Sequence, residues 1–152
     1  MVSLPRIKST VVVREDGKLI KVVQQRGQLF ICAHGCCCGK TERGVAPVPQ
    51  DLYHREWERR TLRNRVHLTF SACLGPCSLA NVALLLFDGR PTWFHSLHTT
   101  EQVLALYDYI EARLLSDLPL PLPESLQKYV FDGFALAEAH MPSLASANER
   151  LP

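Results

Sequence analysis

Apolar and polar residues change their period along this chain, and the changes mark its elements. Thr10 to Arg14 and Leu19 to Val23 are rich in β-branched and aliphatic residues, and Glu15-Asp16-Gly17-Lys18 between them supplies a turn, so a β-hairpin is predicted. Gly27 breaks that pattern, and Gln28 to Ile31 begins a second group of strands. From Ala33 to Pro49, three glycines, two prolines and three cysteines predict a loop. Pro49-Gln50-Asp51 then suits the entry of a helix, whose apolar side carries Leu52, Tyr53 and Trp57 and which extends to about Asn64. Val66 to Phe70 alternates in the manner of a half-buried strand. Asn81 to Phe87 is almost continuously apolar, Asp88-Gly89 is a hairpin turn, and Pro91 to His95 returns as a further strand.

Thr99 followed by Gln102 matches a capping box, and Val103, Leu106, Tyr107, Ile110 and Leu114 recur at helical spacing through about Leu115. The alternating prolines of Leu118 to Pro123 predict an extended linker. Beyond it, Glu124 to His140 predicts a helix weakened by Gly133, with Leu126, Val130, Phe134 and Ala137 on one side. The resulting order is that of an α/β fold, a small mixed sheet with helices packed on it. Its expected divisions are a hairpin extension over 1–26, a central domain over 27–116, and a Pro-rich linker with a helical extension over 117–152. Parallel pairing of the two strands that flank the first helix would bring the loops after them to the same sheet edge.

Composition narrows the functional classes. With 152 residues, 47% hydrophobic content and mean hydropathy of −0.01, the chain can fill a core. No apolar run approaches the roughly 18 residues of a membrane span, and Val11-Val12-Val13 is too short for the core of a signal peptide, so a cytoplasmic protein is expected. The net charge of +2 gives little support to nucleic-acid binding. Arg55, Arg59, Arg60, Arg63 and Arg65 are interrupted by Glu56 and Glu58, which reads as a solvated helix face. There is no Gly-rich phosphate loop, nucleophile elbow or pair of carboxylates at helical spacing, so a protein without a catalytic site of its own is expected.

Six cysteines carry the chemistry. Cys32, Cys36, Cys37 and Cys38 follow the first central strand, and Cys73 and Cys77 follow the Val66 to Phe70 strand. Without an export signal, that usage favours metal over disulfides. Soft sulfur donors suit zinc, copper(I) or an iron–sulfur cluster, and the glycines at 35, 39 and 75 allow backbone N–H groups to approach thiolates. Zinc sites usually present tight Cys-x2-Cys knuckles, which are missing here. Cys32-Ala33-His34 suggests Rieske ligation, yet Cys77 is followed by Ser78-Leu79-Ala80 rather than by a second histidine. Neither cysteine pair has the thiol-exchange spacing Cys-x-x-Cys.

The spacing Cys32-x4-Cys37-x35-Cys73-x3-Cys77, with Cys-Leu-Gly-Pro-Cys-Ser-Leu-Ala-Asn running into Val82 to Phe87 and Asp88-Gly89, resembles the thioredoxin-like 2Fe-2S ferredoxins. That family includes the iron–sulfur subunit beside the flavoprotein of respiratory complex I. The resemblance covers about Gln28 to Leu115. It implies a thioredoxin-like fold, a 2Fe-2S cluster on Cys32, Cys37, Cys73 and Cys77, one-electron transfer to an oxidoreductase such as a flavoprotein, and a homodimer. Three adjacent cysteines leave Cys36 and Cys38 as alternatives for the second ligand. Cys-Cys-Cys-Gly with Ala46-Pro-Val-Pro49 also resembles a branch of small ferredoxins associated with cobalamin biosynthesis. The competing readings of the same sulfurs are a structural zinc module and a metal delivery or sensing protein. Of the histidines, only His34 is placed near the metal; Trp57 and Trp93 are expected in packing roles, with Trp93 able to approach the cluster.

Overall fold

The computed structural model describes residues 3–134. A hairpin of β1 (Lys8–Val13) and β2 (Leu19–Gln24) stands apart as a two-stranded sheet. The main sheet contains β3 (Gly27–Cys32), β4 (Val66–Ser71), β5 (Ala83–Phe87), β6 (Arg90–Phe94) and β7 (Val130–Phe131), in the order β4-β3-β5-β6-β7. Strands β3 and β4 run parallel through the crossover helix α1 (Gln50–Arg59), and the remaining neighbours are antiparallel. The mixed sheet and the parallel pairing are those expected from the sequence. Helix α2 (Thr100–Leu115) has the predicted capping box, with Thr99 Oγ1 accepting from the Gln102 N–H and Gln102 Oε1 accepting from the Thr99 N–H.

Period-two alternation divides the sheet into two faces. Leu29, Ile31, Leu85, Phe87 and Phe94 join Tyr53 and Trp57 of α1 and Leu106, Tyr107 and Ile110 of α2 in the main core. Cys32, next after Ile31, belongs instead to a smaller buried group with Cys38, Val82 and Trp93. Phe30, Leu84, Trp93 and Phe131 are successive partners across that second face. Two hydrogen bonds tie the helices to the frame: Trp57 Nε1 donates to the Val66 carbonyl at 2.7 Å, and the Tyr107 hydroxyl donates to the Tyr53 carbonyl at 2.7 Å.

Three expectations need correction. Helix α1 stops at Arg59 rather than about Asn64, because Thr61 adopts a left-handed conformation (φ 53°) that turns Leu62 fully into the core. The arginine stretch is not a uniformly solvated face. Arg60 is buried and binds Glu56, Asp108 and Glu111, which joins α1 to α2, while Arg59 pairs with Glu56 and Arg63 with Glu58. Helix α3 spans only Glu124–Gln127, after which Val130–Phe131 pairs with β6 and extends the sheet. Gly133 lets the chain run close against Trp93: a Cβ at that position would lie 2.2 Å from the Trp93 ring. The part of the expected helix from 135 to 140 lies outside the described residues.

Candidate metal centre

The parallel register sets the site. Cys32, the last residue of β3, is the partner of Ser71, the last residue of β4, so both cysteine loops leave from one edge of the sheet. The first loop is then folded over the second. The N–H groups of Ala33 and His34 both donate to the Ser71 carbonyl, at 3.0 and 3.1 Å, and the next residue, Gly35, lands between the two chains. A Cβ on Gly35 would lie 3.1 Å from Cys32 Sγ and 3.1 Å from Cys73 Cα. Glycine is therefore what lets the two loops touch.

Cys32 and Cys38 are buried, at 2% and 3% exposure, and belong to the same small core group. Leu74 of the second loop packs against that group. Burial first, then the neighbouring Cys38 and Cys73 thiols, push the Cys32 thiol up to about 12. Cys73 is exposed, and its sulfur accepts from the Gly75 N–H at 3.3 Å. Cys37 is half-buried, with its Sγ 3.6 Å from Cys36 Sγ and 3.9 Å from Arg43 Nη1; Cys36 is exposed. The backbone of Cys77 opens a 3-10 turn over Cys77–Leu79.

Cys32, Cys38 and Cys73 are thus brought into one neighbourhood, while Cys36 and Cys37 form an adjacent pair nearer the surface. Among the described residues, which leave out the Cys77 side chain, no three histidine, cysteine or acidic side chains meet at a single metal-binding point. The donor set nevertheless fits a sulfur-ligated centre. Crowded thiols ionise only beside positive charge, and the site places N–H donors from Gly75 and Arg43 on sulfur, with a glycine where a side chain would fill the space between loops.

His34 is exposed, whereas Trp93 lies in the same buried group as Cys32 and Cys38. Sequence reasoning missed two residues. Arg43 gave no signal in an irregular loop. Asn81 stands first in the apolar run that predicts a strand, but it is a buried amide that bonds the first cysteine loop at Gly39 and Ala46, both at 2.8 Å. A lone amide at the mouth of an apolar run was the available clue.

No protein-family model matches this chain, and no curated protein matches it. Among solved structures, the chain is similar to the wild-type thioredoxin-like 2Fe-2S ferredoxin from Aquifex aeolicus, with a TM-score of 0.44 and 15% identity over 72% of this chain and 99% of that one.

Proposed function

We propose that this protein is a one-electron carrier that holds a 2Fe-2S cluster and exchanges electrons with an oxidoreductase partner, such as a flavoprotein. The observation that carries this reading is the parallel pairing of β3 and β4, which delivers Cys32 and Cys73 to one sheet edge with Gly35 between them. Cys32, Cys37, Cys73 and Cys77 are the proposed ligands, with Cys36 or Cys38 as the alternative second ligand. Spacing favours Cys37 and burial beside Cys32 favours Cys38. The cluster would supply a reversible one-electron couple. The chain's own part is to hold sulfur in fixed positions, to direct the Gly75 and Arg43 N–H groups at it, and to keep the Cys32 side of the site dry. We place this carrier in the cytoplasm and as a homodimer, in line with the family resemblance.

Anaerobic purification tests the reading. A coloured protein with about two irons per chain and visible absorption that bleaches with dithionite is expected. Colourless protein with one zinc would instead make the same cysteines a structural module, since four thiolates satisfy zinc equally well. Binding of a second transition metal beyond the iron would point to metal delivery or sensing.

A further inference from the structure

Three consecutive cysteines pose a selection problem that spacing alone does not solve. Neighbouring residues in a loop present different side chains to a given point when the backbone rotates by one residue. Something must fix the rotation of Cys36-Cys37-Cys38 against the second cysteine loop, and the Asn81 side chain is placed to do so.

Asn81 is 3% exposed and follows the Cys77–Leu79 turn by two residues. Its Oδ1 accepts from the Gly39 N–H at 2.8 Å, immediately after Cys38, and its Nδ2 donates to the Ala46 carbonyl at 2.8 Å. One amide therefore grips the first cysteine loop at two points seven residues apart. A backbone N–H can only donate and a carbonyl can only accept, so the site requires a group with one acceptor and one donor side by side. Aspartate would keep the first bond and set an oxygen against the Ala46 carbonyl. Leucine would keep neither.

The backbone of Asn81 is itself held. Ala80 and Asn81 are both left-handed, at φ 53° and 45°, a conformation that persists where surrounding contacts determine it. Those contacts come from the chain after β6, where the Ser96 and Leu97 N–H groups donate to the Ala80 and Asn81 carbonyls at 3.1 and 3.3 Å. The next residue, Val82, accepts from the Cys32 N–H at 3.0 Å. The Asn81 side chain thus projects from a rigid point that is joined covalently to the second loop and by one hydrogen bond to Cys32. On the other side of the contact, Gly39 adopts φ 70°, and a Cβ there would meet Val48 at 3.2 Å, so the segment gripped by the amide has a set conformation too.

We infer that Asn81 is the positioning residue that selects which member of Cys36-Cys37-Cys38 faces the metal centre, by clamping Gly39 and Ala46 to the second cysteine loop. This inference rests on the ferredoxin reading for the identity of the metal but not for the clamp itself. The amide acts through the backbone that carries the cysteines, at Gly39 and Ala46.

The test combines Asn81→Leu and Asn81→Asp with Cys36→Ser, Cys37→Ser and Cys38→Ser. In the native background, one of the three serine changes should remove the iron and the other two should leave it. With Asn81→Leu, the loss should be shared between at least two of the three, and the electron paramagnetic resonance of the reduced protein should broaden into more than one signal. Cys38 labelling by iodoacetamide, measured by mass spectrometry after metal removal, should speed up about tenfold in Asn81→Leu and less in Asn81→Asp, because each lost hydrogen bond lowers the cost of opening the loop. If Asn81→Leu fails to fold, Asn81→Asp carries the same measurements. An unchanged single-ligand pattern together with unchanged Cys38 labelling overturns the inference. Should the native protein contain no iron, the ferredoxin reading fails, and the labelling rates still decide whether Asn81 holds Cys38 inside.

Discussion

At the Gly27 end of β3, Arg26 donates from Nε and Nη2 to the two oxygens of Asp88, at 3.1 and 2.7 Å, and from Nη1 to the carbonyls of Arg113 and Leu114 at the end of α2. At the Cys32 end, about 17 Å of strand away, there is no comparable ion pair among the described side chains; sulfur, glycine and one buried amide do the joining. The first end is closed by charges that find their partners within the fold and need nothing added. The second brings together thiols whose ionised forms would repel, so as thiolates they would need a positive centre such as the proposed cluster. The contrast predicts that the two ends fail for different reasons and can be broken separately.

The largest effect is expected at the sulfur end. Gly35→Leu places a side chain where a Cβ alone is already 3.1 Å from Cys32 Sγ and from Cys73 Cα, so the loops must separate. Iron per chain should fall to background while the far-ultraviolet circular dichroism stays native, since Gly35 lies outside the main core. Retention of a full complement of iron would show that the loops need not touch. At the other end, Arg26→Met removes the paired hydrogen bonds to Asp88 and the cap on α2 and should cost about 2 kcal/mol in urea unfolding with no change in iron content. A loss of iron in that variant would mean that the ends are coupled through β3.

The acid response sharpens the same comparison. Arg26 beside Asp88, with Arg113 nearby, holds the Asp88 carboxyl below the usual carboxylate range. A carboxyl with a lowered folded pKa stabilises the protein fully above its unfolded value, near pH 4, and this contribution is lost as pH falls through the folded value. Asp88→Asn should therefore be less stable than the native protein at pH 7, with the gap closing below about pH 4. Urea midpoints at pH 7, 5 and 3 measure it; a gap that stays constant would remove Asp88 from the account.

The two ends also differ in how much of them could be read from sequence. The cysteine spacing, the glycines and the strand pair that converges on them are local patterns, and parallel pairing followed from the crossover length and its helix. Which cysteine faces inward was not readable, because it depends on Asn81 meeting Gly39 across 42 residues. The Arg26 to Asp88 pair spans 62 residues and had no pattern to announce it, although Asp88 was correctly placed in a turn. Helix α2 was read to its ends because its cap and its apolar period are encoded within it. The strand at Val130–Phe131 was misread because its neighbour is Trp93, and the Trp93 ring occupies the space that a side chain at Gly133 would take.

The smallest effect belongs to the hairpin that hangs from the Arg26 end. Cross-strand partners share a face, and Val11, Val13 and Leu19 on one such face are 61%, 64% and 71% exposed. Substituting Val13→Thr and Leu19→Thr removes methyl groups that the fold has not taken out of water, and threonine keeps the β-branched preference of a strand. The double variant should unfold within about 0.5 kcal/mol of the native chain, which is the range of surface substitutions. A larger loss in the dilute monomer would mean that the hairpin packs on the main sheet after all. A loss that grows with protein concentration would mean that these side chains are covered in an assembly of copies, and the Arg26 end would then be an interface rather than a free end.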